Sequence, residues 1–241
     1  MEPAELDPGT VAIIQLAWSR VLGFEDMAFA DAAAGRLYRA DNDAPALTFV
    51  TLFGTEALVG PDWAVAAAQD LPGTVLRQHS TLLTMSRAHG RRGLGEAQLY
   101  FCDALPVLEP DPSAAVSSEA VFVSRLERLC PPDDSAEAGL SSAEHPFVLV
   151  DDSGDGDPAP LAGAGYDVWS GILAHLGVLT PPENRRRGFA QRIVAVAVEE
   201  AMASGLIPQW RVRTDNTASQ RTARRAGFRF AGTQTSVILG A

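Results

Sequence analysis

The residues best suited to chemistry are Arg185-Arg186-Arg187-Gly188-Phe189-Ala190, where three cationic side chains meet a glycine at the start of a helical pattern. Downstream, Phe189, Ile193, Val196, Ala197 and Ala201 fall on one stripe, so the predicted helix over 188–203 packs on a sheet. Its first amides have no partner within the helix and point out of an end that carries partial positive charge. A pyrophosphate set there accepts those N–H bonds, and arginines add charge-assisted ones. Gly188 allows the backbone to approach the anion closely. The apolar run Leu173 to Leu179 reads as a buried strand that feeds the loop through Thr180-Pro181-Pro182-Glu183.

Two other motifs are decoys. Asp151-x-Ser153-x-Asp155-Gly156 resembles the start of a calcium loop, but the twelfth position is Ala162 where a bidentate acid is needed. Gly90-Arg91-Arg92-Gly93-Leu94-Gly95 fits a phosphate loop as a string, yet it precedes a strand, so no helix N-terminus would face the phosphate. Cys102 and Cys130 have no metal-ligand spacing and read as small buried residues. No metal site is expected.

Composition narrows the classes. The chain of 241 residues has no lysine, which excludes a Walker phosphate loop and Schiff-base chemistry. Ten arginines face only Glu199, Glu200 and Asp215 from Asn184 onward, a balance of +7, whereas the preceding residues carry −18. A basic end in a chain of net charge −11 points to a local anionic ligand rather than to nucleic acid. No apolar stretch approaches the roughly 18 residues of a membrane span. Met1-Glu2-Pro3-Ala4-Glu5 lacks the basic head of a signal peptide, so the expected address is the cytoplasm.

The elements that must position the loop follow from periodicity. A helix is expected over 10–21, two strands around Gly54 within 47–60, a helix from Pro61 to about 71, another over 75–88, and a strand over 98–102. The Pro-, Asp- and Ser-rich stretch 104–118 reads as a linker dividing an N-terminal part, 1–105, from a C-terminal part, 106–241. Helices over 121–129 and from Pro131-Pro132 to Gly139 precede a meander of strands over 146–150, 161–168 and 172–179. Helix 188–203, strand 208–214, helix 217–226 and strand 228–239 close the chain. Together they predict an α/β (α+β) fold with a mixed, mostly antiparallel central sheet flanked by helices.

Arg185-x-x-Gly188-x-Ala190 resembles the Gln/Arg-x-x-Gly-x-Gly/Ala signature of the GNAT superfamily of acetyltransferases. Strand Gln209 to Arg213, Asn216-x-x-Ser219 and Ala226-Gly227-Phe228 follow in the family's order. The resemblance covers roughly 145–241 and is nearest to two-part bacterial members whose N-terminal half has diverged. It implies an acetyl-CoA co-substrate, with the backbone of Val178, Leu179 and Thr180 along the pantetheine arm. Arg185, Arg186, Arg187, Gly188, Phe189 and Ala190 would surround the pyrophosphate, and Asn216 with Ser219 would lie beside the arm. Asn216 is equally placed to cap the following helix. One departure stands out: where many members carry a tyrosine that protonates the leaving thiolate, this sequence has Ala223.

The resemblance implies acetyl transfer to a primary amine of a small molecule or protein, by direct attack in a ternary complex. A general base must take the ammonium proton. His175, mid-strand and four residues before Leu179, is the first choice, since imidazole changes charge near neutrality. Asp167 and Tyr166 are the alternatives, and Tyr100 or Tyr166 could replace the missing acid. A monomer or homodimer is expected, with no nucleic-acid or membrane partner. The competing reading is an acyl-CoA-binding sensor without efficient turnover.

Overall fold

The computed structural model describes residues 5–31, 35–106, 114–151 and 158–240. In chain order the elements are α1 (Pro8–Val21), β1 (Leu37–Ala40), β2 (Ala46–Leu52), β3 (Thr55–Gly60), α2 (Asp62–Ala68), α3 (Gly73–Leu76), α4 (His79–Met85) and β4 (Arg91–Phe101). There follow β5 (Ala114–Ser117), α5 (Ala120–Arg128), α6 (Pro132–Ala138), β6 (His145–Asp151), β7 (Ala159–Trp169) and β8 (Leu173–Leu179). A 3-10 turn (Pro182–Asn184), α7 (Phe189–Ala203), β9 (Ile207–Arg213), α8 (Thr217–Arg225) and β10 (Arg229–Leu239) complete the described chain.

These elements divide into two compact units. One holds residues 1–100, 211–217 and 230–241; the other holds 101–210 and 218–229. In each, antiparallel neighbours predominate and a parallel pair gives the sheet its mixed character, with helices alongside, in agreement with the predicted class.

In the first unit the strand order is β1-β3-β2-β10-β4. Phe53 and Gly54, both at positive φ, make the two-residue turn that joins β2 to β3, as right-handed strand twist requires. The core gathers Leu47, Phe49, Leu58, Ala64, Ala68, Leu76, Leu82 and Val237. Two expectations change here. The single helix predicted over 75–88 is two, α3 and α4, because tertiary partners take over at the break. Thr235 Oγ1 donates to the Arg77 carbonyl at 2.7 Å, and Glu96 Oε1 accepts the His79 amide at 2.7 Å. The strand predicted over 98–102 begins at Arg91 and absorbs the glycine run; a Cβ at Gly93 would sit 2.5 Å from the His79 ring.

In the second unit the order is β9-β8-β7-β6-β5. β5 lies inside the stretch predicted as linker, and the turn carrying Asp155 and Gly156 lies outside the described residues. Glycines let helices approach one face closely: a Cβ on Gly163 would meet Leu126 of α5, and one on Gly177 would lie 1.9 Å from the Ala138 carbonyl of α6. The core on this side is Val123, Leu126, Cys130, Leu140, Val148, Val150 and Leu179. The other face receives α7, which buries Ile193, Val194, Ala197, Val198 and Ala201.

Candidate functional site

β8 pairs along its whole length with β7, from Trp169↔Leu173 to Gly163↔Leu179. Its parallel ladder with β9 runs only from Leu173↔Ile207 to Leu176↔Trp210. Alternate peptide groups of Gly177, Val178 and Leu179 face away from β7 beyond the end of that ladder. An extended polar arm can pair there as a further strand would.

The chain then turns through Thr180 and the 3-10 turn into the arginine loop. Gly188 caps α7 at φ 84° without any side-chain cap bond, and a Cβ there would meet nothing within 4 Å. The left-handed backbone, not packing, calls for glycine here, and the space above it is open. Helix bonding begins with the Gln191 and Arg192 amides, both to the Gly188 carbonyl at 3.1 and 3.3 Å. The amides of Phe189 and Ala190, which have no intrahelical partner, open onto that space. Such a cradle fits a pyrophosphate.

The three arginines have separate tasks. Arg185 donates through Nε to the Thr180 carbonyl (3.1 Å) and through Nη2 to Asp134 Oδ2 of α6 (2.6 Å), so it braces the loop against the end of β8. Arg187 donates to Asn184 Oδ1 at 3.4 Å, and Asn184 in turn donates to the Leu161 carbonyl of β7 at 3.2 Å. The Arg187 and Arg192 guanidinium carbons stand 4.9 and 6.0 Å from the Phe189 ring centroid, so the half-buried ring is a platform for two cations. Arg186 is exposed and held at φ 64°, a left-handed conformation that costs about 1–2 kcal/mol in a residue with a Cβ. Asn184, Asp134 and Arg192 were not singled out from the sequence; each acts through a tertiary or i−3 contact with no local pattern.

His175 is half-buried on the face that α6 covers. Register pairs it with Asp167 on one side and Gln209 on the other, which puts three polar side chains in a row on one face. Its ring stacks on Trp169 with centroids 4.1 Å apart and planes at 21°. Gln209, fully buried, places Nε2 3.1 Å from His175 Nδ1. Asp167 Oδ1 accepts the Glu144 amide at 3.1 Å. Tyr166 does not join them. It faces the other side of β7, buried, stacked on His145 at 4.5 Å and hydrogen-bonded to Ser204 after α7, and burial holds its phenol above the ordinary range.

Beyond β9, Trp210 Nε1 donates to Ser219 Oγ at 3.1 Å, which ties α8 to the strand. Ser219 belongs to the second unit, whereas Asn216 belongs to the first, where its amide donates to the Arg213 carbonyl at 3.1 Å. Ala223 is fully buried, and Tyr100 is buried in the first unit.

Residues 117–228 match the profile of the acetyltransferase (GNAT) family. Among solved structures, similarity extends to a GNAT-family protein from Novosphingobium aromaticivorans (22% identity, 63% of this chain and 69% of that one, TM-score 0.45). A GCN5-related N-acetyltransferase from Kribbella flavida is 19% identical over 66% of this chain and 64% of its own, with TM-score 0.44. A protein from Drosophila is 14% identical over 66% of this chain and 55% of its own, with TM-score 0.50, a likeness of fold alone. The chain therefore spans less than two thirds of the Kribbella and Drosophila structures. No curated protein matches the sequence significantly.

Proposed function

Residues 117–228 form a domain of the GNAT acetyltransferase family, and from that premise we propose that the protein moves an acetyl group from acetyl-CoA to a primary amine of a small-molecule or protein acceptor. The observation that carries this reading is Gly188, left-handed, with nothing in the space a Cβ would enter, at the mouth of α7 and directly after β8. In it, the Gly188, Phe189 and Ala190 backbone and the Arg186 and Arg187 guanidinium groups hold the pyrophosphate, while Arg185 braces the loop. The arm runs along Val178, Leu179 and Thr180, with Ser219 as a neighbour.

In this reading the amine attacks the thioester directly, in a ternary complex. The ammonium first gives one proton to a base or to water; the amine lone pair then adds to the thioester carbon, the C–S bond breaks, and the nitrogen keeps one N–H and gives up another while the thiolate takes up one proton. Most of the acceleration comes from holding amine and thioester in line and from amide donors on the carbonyl oxygen. In this reading Asp167 and His175 line the side on which the amine approaches, and buried Gln209 contacts the His175 ring. The cytoplasm and a monomeric or homodimeric state belong to the same proposal.

A second reading, acyl-CoA binding without efficient turnover, rests on Ala223, a buried alanine where the thiolate's proton donor would stand. Thiol release from acetyl-CoA with a panel of amines separates the two: no release with tight CoA binding favours the sensor. For the binding site itself, acetyl-CoA at a hundredfold its Kd adds about 2.7 kcal/mol, or about 5–10 °C for a chain of this length. NAD should add nothing. The double change Arg187→Glu with Gly188→Glu should abolish the shift while far-UV circular dichroism stays native. A normal shift in that variant would mean that the nucleotide binds elsewhere.

A further inference from the structure

Strand β7 breaks register beside β6. Leu149 pairs with Ala162 and Val150 with Pro160, so Leu161 has no residue opposite it on β6. It also lies outside the β7–β8 pairs, which reach only as far as Gly163↔Leu179. A bulge leaves its extra residue out of the ladder, and a part-buried carbonyl in that position calls for a donor from elsewhere. The Asn184 side chain supplies one: Nδ2 donates to the Leu161 carbonyl at 3.2 Å. Polarity then sets the rest of the amide. A carbonyl only accepts, so the nitrogen must face Leu161 and the oxygen must face away. That oxygen, Oδ1, accepts from Arg187 Nη1 at 3.4 Å.

Resting on the acyl-transfer reading above, we propose that Asn184 is a positioning residue for the acyl-CoA diphosphate. It ties the Arg187 guanidinium to the sheet through the bulge at Leu161, so that the cation is oriented before the nucleotide arrives. The Phe189 ring, 4.9 Å from the guanidinium carbon, is its second support. The bond to Asn184 is long and belongs to an exposed loop, so it directs the arginine without holding it back from an anion. Arginine carries a fork of donors, and the one N–H given to Asn184 leaves others for phosphate oxygens. Restraining a long side chain in advance strengthens binding, because that ordering is no longer lost when the ligand docks.

Asparagine meets both ends of this relay, and its nearest relatives do not. An aspartate of the same shape has no donor for the Leu161 carbonyl. Its charge would also pair with Arg187 and compete with the phosphates for that cation. Alanine removes both bonds and leaves Arg187 to Phe189 alone. Arg185 is engaged by Thr180 and Asp134, so of the two arginines held by side-chain contacts Arg187 is the one turned to the ligand in this reading.

Calorimetry with CoA tests the role. Asn184→Ala should weaken CoA binding by about three- to tenfold, and Asn184→Asp by more than about tenfold, since a competing ion pair adds to the lost bond. An asparagine that only filled space would give the reverse order, because aspartate keeps its volume and alanine does not. On an Arg187→Ala background, Asn184→Ala should cost nothing further. In the unaltered protein without ligand, nitrogen-15 relaxation should show the Arg187 Nε–H more ordered than that of exposed Arg186, a readout that needs no variant to fold. Three results would each overturn the assignment: Asn184→Ala binding CoA as tightly as the unaltered protein, Asn184→Asp binding it more tightly than Asn184→Ala, or an Arg187 as mobile as Arg186. If the unaltered protein fails to bind CoA, the acyl-donor reading falls and this role falls with it. Normal CoA binding beside an unmoved Asn184→Ala removes this role alone, so the two failures are told apart.

Discussion

Neither cysteine has the thiolate character that an acyl carrier needs. Burial raises the Cys130 thiol to about 11 and also raises that of Cys102. Thiolate, not thiol, is the nucleophile, so an acyl-cysteine intermediate has no reactive partner here at neutral pH. The thiol form is favoured by folding: this contribution to stability is complete below the unfolded thiol pKa and is lost as pH rises through about 11. Labelling of Cys130 with a thiol reagent at pH 8 should therefore be about a hundredfold slower in the native protein than in denaturant. Fast native labelling of Cys130 would reopen a two-step route. The sequence already placed both cysteines in the core from residue type alone. It could not reveal Gln209, since a single polar residue inside Ile207-Pro208-Gln209-Trp210 acquires its meaning only when β9 is laid beside β8.

At the level of elements, the glycine-arginine loop was legible because its parts are consecutive: apolar strand, turn prolines, arginines, glycine, amphipathic helix. Its bracing was not, because Asp134 lies on α6, 51 residues before Arg185. That pair is exposed, with side chains 46% and 42% accessible, so it contributes about 1 kcal/mol or less to stability. Its larger effect should fall on the ligand. Asp134→Ala releases Arg185 from one of two anchors and loosens the loop, and we expect acetyl-CoA affinity to fall about three- to tenfold by calorimetry while Tm changes little. Arg185→Ala removes both anchors and should cost at least as much, and the double variant no more than Arg185→Ala alone, since Asp134 acts through Arg185. Additive losses would instead make Arg185 a direct phosphate ligand. The division of the predicted 75–88 helix has a like cause: Thr235 and Glu96 supply the partners at the break from β10 and β4.

On the scale of the whole chain, the last segment belongs with the first. β10 pairs with β2 from Gly232↔Leu52 to Ile238↔Ala46, and Val237 is buried among Leu47, Phe49 and Leu58. Periodicity identified both strands, yet no local pattern could say that a strand near residue 235 completes a core begun near residue 47. The family match ends at Phe228, just short of this strand. Ending the chain there removes the β2–β10 ladder, whose hydrogen bonds contribute about 0.5–1.5 kcal/mol each, together with about 1.5–3 kcal/mol from Val237. The loss is comparable to the roughly 5–15 kcal/mol that holds a domain folded. Chains truncated after Phe228 should therefore lose hydrogen-exchange protection throughout β2 and β3, read against β6 and β7 in the same spectrum. Protection of the Phe49 and Val50 amides equal to that in the full chain would show that the first unit completes its core without β10.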